Sequence, residues 1–388
     1  MTTPAGSEAT VPAAARNRYD RMEWAGAFGD LGTLLPFVAA YIGVVGLDPL
    51  GVLVAFGVAM IACGLHYRTP VPVQPMKAAG AVASLQAAQG AIGPSAVYAA
   101  ALVTGAVWLL LGASGWLARG LRRVPPVVVM GVVAGLGFGF MLQGVQLMQR
   151  GWMAAALAAA LLLFLLRSRR LPAMFALLLL GALLGARDHP ELLQRLVEVP
   201  LGLRWPSWSL AALRWEDVLA GTLLLALPQM PLTLGNAILA LRAEHDRLFP
   251  ERPLRENEAA LSTGLMNMLA GCVGGVPMCH GAGGMAAHVA FGARTGGAVV
   301  ILGGVLLALG LFASAAVQVL FALFSAPVLG VMLFFCGLQL AAGFAWPAAR
   351  GERVVLVACA ALCIWNVAAG FAVGLLLHFL QRRGRAFD

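Results

Sequence analysis

Pro70-Val-Pro-Val-Gln-Pro-Met-Lys77 and Gly274-Gly-Val-Pro-Met-Cys-His-Gly-Ala-Gly-Gly284 decide how this chain is read. Each interrupts an apolar run with Pro and Gly, and each carries a Pro-Met doublet, Pro75-Met76 and Pro277-Met278. About twelve small or apolar residues follow each doublet, which predicts an extended approach meeting a short helix whose first turn begins at the proline. Two such half-helices would face each other at mid-membrane. Free N–H groups and the positive end of the helix dipole favour an anion there, and Gly281, Gly283 and Gly284 would let the backbone come close to it. The competing reading makes the same residues kinks and close-packing points, which membrane helices tolerate.

The surroundings of the two stretches are apolar. Of 388 residues, 61% are hydrophobic and 11% charged, a balance outside that of water-soluble domains. A spanning helix needs about 20 apolar residues, and Val97 to Leu117 and Thr222 to Leu241 come close to that. The strict alternation of a membrane β-barrel is missing from the pattern, so the expectation is an all-α polytopic membrane protein. Residues 1–20 lack the apolar core of a secretory signal and read as an N-terminal cytoplasmic tail. The net charge of +9 sits in arginine clusters between apolar runs, where topology explains it without nucleic acid. The six cysteines show no zinc-type spacing and read as reduced packing residues, so no metal and no cofactor are expected.

Hydropathy broken at charges, Pro and Gly yields about fourteen segments. Their cores are 24–45, 49–66, 75–89, 95–118, 125–148, 152–166 and 171–187, then 216–241, 257–272, 277–292, 297–323, 327–342, 353–366 and 367–381. The chain divides into a first repeat at 21–187, an interfacial linker at 188–215 with Trp205, Trp208 and Trp215, a second repeat at 216–381 and a basic tail at 382–388. About seven segments per half is an odd number, so equivalent elements enter the membrane from opposite sides as a 7+7 inverted repeat. With a cytoplasmic N-terminus, the clusters Arg16/Arg18/Arg21, Arg119/Arg122/Arg123, Arg167/Arg169/Arg170, Arg242/Arg247/Arg252/Arg255, Arg350/Arg353 and Arg382/Arg383/Arg385 fall on one side. Both termini are then cytoplasmic, and the cell membrane of a bacterium is the expected location.

Ionisable residues within the apolar segments are few: Asp30, Lys77, His280 and His288. Lys77, the chain's single lysine, can offer a point charge to an oxyanion or pair with Asp30. His280 can donate to an anion, carry a proton, or pack as a hydrogen-bonded core residue; His288 reads as off the site. Gln229, Thr233 and Asn236 fall at near-helical spacing in Pro228-Gln-Met-Pro-Leu-Thr-Leu-Gly-Asn236, and neutral donors suit a desolvated oxyanion. They can equally bond between helices.

At these residues the chain resembles the molybdate transporter family, a branch related to the sulfate permeases. The resemblance rests on Gly29-Asp-Leu-Gly-Thr-Leu-Leu-Pro36, Pro70 to Lys77, Pro228 to Asn236, Pro277-Met-Cys-His-Gly-Ala-Gly-Gly284 and Phe291-Gly-Ala-Arg-Thr-Gly296. It implies a uracil permease-like fold: a core of segments one to four and eight to eleven, and a gate of the others. It also implies that Gln74, Met76, Lys77, Cys279, His280, Gly281, Gly283 and Gly284 surround the anion, with Asp30, Thr33, Gln229 and Asn236 contributing from crossing helices. Alternating access of molybdate, lipid as surroundings and a homodimer follow from the family analogy alone. Sulfate permeases usually add a soluble regulatory domain after the last span, which the short tail here does not resemble.

Three rivals remain open at this point. Molybdate and sulfate are both tetrahedral dianions, so a sulfate or general oxyanion carrier fits the same motifs. An anion channel would need a continuous polar pore in place of a compact site. An enzyme would need Cys279, His280 and His288 as metal ligands, but adjacent helical residues project about 100° apart, which makes Cys279 and His280 a poor pair.

Overall fold

The computed structural model describes residues 16–384 apart from 116, 118–123, 167, 169–171 and 343–345. The N-terminal tail to residue 15, the clusters Arg119/Arg122/Arg123 and Arg167/Arg169/Arg170, and Arg385 in the basic tail lie outside the described residues.

Local sequence sets the first helices. Asp20 caps α1 (Arg21–Ala27) by accepting from the N–H groups of Met22 and Glu23 at 2.9 and 3.2 Å. The chain bends by 43° at Phe28-Gly-Asp30 and continues as α2 (Leu31–Gly43). Asp48 caps α3 (Pro49–Tyr67), whose first turn carries a proline that has no N–H to satisfy. Then come α4 (Lys77–Ala88), α5 (Pro94–Ser114), α6 (Pro126–Met148), α7 (Trp152–Leu165), α8 (Ala173–Asp188) and α9 (Pro190–Glu198). In the linker, Trp205, Trp208 and Trp215 are exposed.

The second half opens with a long helix, α10 (Trp215–Leu248). It contains widened π turns at Gly221–Ala226 and Thr233–Ala240, either side of Pro228 and Pro231. A proline removes one ladder hydrogen bond and crowds the preceding turn, and a wide turn absorbs both. After α10 come α11 (Glu256–Val273), α12 (Ala282–Ala290), α13 (Gly297–Ala322), α14 (Ala326–Ala341), α15 (Arg350–Cys363) and α16 (Val367–Gly384).

Each segment read from hydropathy holds a helix, but many are short. Among the described residues α3, α5, α6, α10 and α13 are long and apolar enough to cross a membrane, and α1 with α2 makes a sixth if the bent pair is one span. At 12 and 9 residues, α4 and α12 rise only about 18 and 14 Å, well short of a hydrocarbon core of about 30 Å.

The structure corrects the all-α expectation in one place. Gln74–Pro75 (β1) and Met278–Cys279 (β2) form an antiparallel pair, with Gln74 opposite Cys279 and Pro75 opposite Met278. The half-helices therefore do not begin at their prolines. Pro75 lies in the strand and Pro277 just before one, while Met76 and Gly281 are the residues that precede the first helical turns. The two Pro-Met doublets thus lie opposite one another in the strand pair, Pro75 facing Met278 and Met76 bonding Pro277, and what differs is the distance from each doublet to its helix.

Packing divides the helices into two groups. In one, α3 lies against α13 and α5 against α11; in the other, α6 lies against α14 and α15, and α15 against α16. The α6–α14 crossing is backbone on backbone. A Cβ at Gly137 would stand 2.8 Å from the Gly337 oxygen, and one at Gly144 2.6 Å from the Gly330 oxygen. Small residues at such a crossing let dispersion and Cα–H contacts replace the hydrophobic drive that lipid does not supply.

Candidate functional site

The β1–β2 pair brings the first turns of α4 and α12 together. Met76 N–H donates to Pro277 O at 2.9 Å, locking one approach to the other. Asn267 of α11 closes the free edge of β2: its Nδ2 donates to Met278 O at 2.5 Å, and Met278 N–H donates to its Oδ1 at 2.9 Å. One side-chain amide here does what a neighbouring strand would do, satisfying a buried peptide that water cannot reach.

Three predicted residues form one buried cluster. Gln74 Nε2 lies 2.7 and 2.6 Å from the two carboxylate oxygens of Asp30 and 2.8 Å from Thr33 Oγ1. Thr33 also hydrogen-bonds the Asp30 carboxylate and lies 3.0 Å from Asp30 O. Glycines of α12 make the closure possible. A Cβ at Gly284 would stand 2.6 Å from Gln74 Nε2 and 2.7 Å from Asp30 Oδ2; one at Gly281 would collide with Gln74 Oε1, and one at Gly283 with the Phe140 ring. The expectation of close backbone approach is met here by side chains of the protein itself.

The start of α4 is partly covered. Gln229 Oε1 accepts from Ala78 N–H at 2.9 Å and Ala79 N–H at 3.2 Å, and Gln229 Nε2 donates to Thr233 Oγ1 at 3.1 Å. Two of the donors that sequence reasoning left free for an anion are therefore capped by a neutral amide from α10. The wide turn at Thr233–Ala240 carries Asn236 into the same region, where its Nδ2 is 3.5 Å from the position of a Gly281 Cβ.

Lys77 stands apart from this network. Its Nζ is buried with no hydrogen-bond partner, and no ion pair to Asp30 exists among the described residues. The ammonium lies 3.8 Å from the centroid of the Phe140 ring, a cation–π contact with α6. Lys77, Ala78, Phe140, Gln143, Asn236 and Asn366 help to line a cavity of about 390 Å³ between α4, α6, α10 and the α15–α16 junction. That size falls within the range of small-molecule sites, and an unpaired ammonium on its wall favours an anion.

The remaining predictions separate from the cavity. His280 has both ring nitrogens engaged, Nε2 with Ser262 Oγ at 2.7 Å and Nδ1 with Pro72 O at 2.8 Å, which leaves neither for an anion in this conformation. Cys279 is a buried strand residue and Met76 is fully buried at the turn. His288 bonds Gly26 O at 2.8 Å and does not line the cavity. Sequence reasoning missed Phe140, Asn267, Ser262 and Glu23. Asn267 and Ser262 were visible as polar residues within an apolar segment; Phe140 carried no signal, being one aromatic in an apolar helix. Glu23 is fully buried, and its carboxylate accepts from the N–H groups of Arg294, Thr295 and Ala298 at 3.0 to 3.2 Å, capping the start of α13.

Comparison with known proteins agrees with this architecture. The chain covers 91% of itself and 97% of the transmembrane domain of a cyanobacterium bicarbonate transporter, BicA, with a TM-score of 0.55 at 17% identity. It aligns over 99% of its length with 73% of the murine Solute Carrier 26 family member A9 anion transporter in the inward-facing state, at a TM-score of 0.62 and 12% identity. These likenesses establish the fold. In sequence, the chain is 31% identical to Molybdate transporter 2 of Arabidopsis thaliana over 93% of its length and 87% of the relative's. It is 30% identical to Molybdate transporter 1 of Chlamydomonas reinhardtii over 93% and 92%. A family profile described as "Molybdate transporter of MFS superfamily" matches residues 22–140 and again 221–340, one stretch in each half. The fold likeness is to the bicarbonate and Solute Carrier 26 transporters, whatever superfamily the profile's description names, and the chain belongs to the molybdate transporter family.

Proposed function

We propose that this protein is a secondary transporter of molybdate, binding the oxyanion in the cavity walled by Lys77 and Asn236 and moving it by alternating access. The observation that carries the reading is the Lys77 ammonium, buried, unpaired and facing that cavity. A charge withdrawn from water without a partner is unfavourable, and a dianion entering the cavity relieves it. Asn236 adds a neutral donor, so the anion need not meet a full set of counter-charges. Gln74, Asp30 and Thr33, in this reading, hold α12 and the strand pair in place beside the anion and do not embrace it.

The two packing groups support a core that moves against a gate. The cavity lies at their boundary, with Lys77 on the half-helix and Phe140, Gln143 and Asn366 across from it. The partner exchange of α3 with α13 and α5 with α11 is what two inverted repeats would make, and the profile matching once per half supports the same division. Cytoplasmic termini and a bacterial cell membrane complete the proposal.

Molybdate titrated calorimetrically into purified protein, with sulfate as competitor, tests the substrate. Tight molybdate binding that excess sulfate barely displaces, and that Lys77→Ala weakens by about 10- to 100-fold, is the expected result. Displacement by equimolar sulfate would make the protein a general oxyanion carrier; absence of binding by either anion would sink the site.

A further inference from the structure

Behind the candidate site a chain of hydrogen bonds runs inward from α3 and α11 to His280. Tyr67 Oη and Ser262 Oγ are 2.6 Å apart, Ser262 Oγ and His280 Nε2 2.7 Å, and His280 Nδ1 and Pro72 O 2.8 Å. Tyr67 and Ser262 line a second cavity, of about 400 Å³, whose wall is largely apolar (Val58, Leu261, Leu265 and Leu269 among others) and whose remaining polar groups are a partly exposed pair, His66 and Glu258, with Nε2 and Oε1 2.7 Å apart.

The chemistry of the end groups fixes where the hydrogens are. Pro72 O can only accept, so His280 Nδ1 carries a hydrogen. In the neutral imidazole Nε2 then accepts, so Ser262 donates to it and Tyr67 donates to Ser262. The reverse arrangement is also provided for. Ser262 Oγ lies 3.1 Å from Ala259 O, and Tyr67 Oη lies 3.2 Å from Glu258 O. When Nε2 gains a proton it donates to Ser262, whose hydrogen turns to Ala259 O while that of Tyr67 turns to Glu258 O. Every donor has an acceptor in both states. A histidine serving only to hold Pro72 needs one of them.

We propose that Tyr67, Ser262 and His280 form a proton path, and that oxyanion movement is coupled to uptake of a proton at His280. The inference rests on the transport reading above and deepens it by naming the co-substrate. A hydronium ion in the second cavity gives a proton to Tyr67 Oη as the Tyr67 proton passes to Ser262 Oγ and the Ser262 proton to His280 Nε2. Water is left in the cavity and His280 becomes an imidazolium; no bond between heavy atoms changes. His280 directly precedes Gly281, the residue just ahead of the first turn of α12, so its charge adds to the positive end of that half-helix. Proton and dianion then raise each other's affinity by the same factor, since coupling between two bound ligands is reciprocal.

The titratable and charged groups on the elements around His280 include Cys63, His66 and Tyr67 of α3, Glu256, Glu258 and Cys272 of α11, Arg242, Glu244, His245, Asp246 and Arg247 of α10, Lys77 at the start of α4, and Asp30 and Tyr41 at and within α2, with Cys279 and His288 on its own segment. None forms an ion pair with it among the described residues. No neighbouring carboxylate therefore holds a permanent proton on the ring, as a cycling site requires.

The test uses the full chain in liposomes, voltage-clamped with potassium and valinomycin, with a pH-sensitive dye inside. An inward molybdate gradient is expected to acidify the lumen of wild-type vesicles. Ser262→Ala and Tyr67→Phe should lose the acidification and keep counterflow of labelled molybdate at equal pH, whereas Ser262→Thr, which retains a hydroxyl, should keep both. Acidification undiminished in both Ser262→Ala and Tyr67→Phe, or wild-type counterflow without acidification, overturns the proton path. If molybdate shows no counterflow the assay is run with sulfate: acidification then supports the path and refutes the substrate, and movement of neither anion refutes both.

Discussion

The Lys77 ammonium sits 3.8 Å from the centroid of the Phe140 ring, so half-helix α4 and long helix α6 meet through a cation and an aromatic face at the wall of the cavity. The ring offers a weak partner that an anion can outcompete. Lys77→Ala is expected to weaken molybdate binding by about 10- to 100-fold, the scale of one charge-assisted hydrogen bond of about 1.5–3 kcal/mol. Phe140→Leu, which frees the ammonium without removing it, should shift affinity by roughly fivefold or less. Calorimetric titration of both variants checks the order; a larger loss in Phe140→Leu contradicts the assignment of Lys77.

Gly284 leaves no room for a methyl group, because a Cβ would stand 2.6 Å from Gln74 Nε2 and 2.7 Å from Asp30 Oδ2. Gly284→Ala is expected to break that cluster, destabilising the fold by about 1–3 kcal/mol and abolishing uptake. Gly304 in α13 has open space where a methyl group would stand, with nothing within 4 Å, so Gly304→Ala should leave uptake and melting temperature unchanged. Uptake in vesicles together with thermal unfolding in detergent distinguishes the two sites.

Gln229 separates stability from binding. Its Oε1 caps Ala78 and Ala79, so Gln229→Leu leaves one buried and one partly buried N–H group without that acceptor and should lower stability by about 1–3 kcal/mol. Gln229→Glu retains the acceptor and favours the positive helix end, but adds a negative charge near the cavity. The expected outcome is a melting temperature close to wild type with molybdate binding lost. Equal binding by Gln229→Glu and wild type would place the anion elsewhere.

Asn267→Ala removes both bonds that hold Met278 and should loosen β2. Because Cys279 is only 3% exposed in the intact strand pair, its labelling by a maleimide reports the change. Labelling is expected to rise markedly in Asn267→Ala, and an unchanged rate would show that the strand pair holds without the clamp.

The membrane class, the mostly helical architecture and the interruption of helices at the two Pro- and Gly-rich stretches were legible because bilayer length and backbone satisfaction act on local sequence. Asp30, Thr33 and Gln74 stand out in the sequence as polar residues in apolar surroundings, and the structure joins them in one cluster. Their role was not legible, since it depends on Gly281 and Gly284 arriving from more than two hundred residues away. The same holds for His280: its polarity was evident, while its two partners, Ser262 and Pro72, are set by the crossing of α11 with the strand approach. The extended residues ahead of each half-helix were also visible, but not that they pair as strands, because a two-residue ladder has no periodicity to read.

By itself, then, the sequence determined that this chain lives in a membrane as helices interrupted at two glycine- and proline-rich points, since every apolar run must satisfy its own backbone in hydrocarbon. Only the tertiary structure decided which polar groups neutralise one another and which remain open. Gln229 and His280 carry donors and acceptors like those of a binding residue, yet packing supplies both with protein partners. Lys77 is left without one, and that difference arises from long-range geometry that no local pattern encodes.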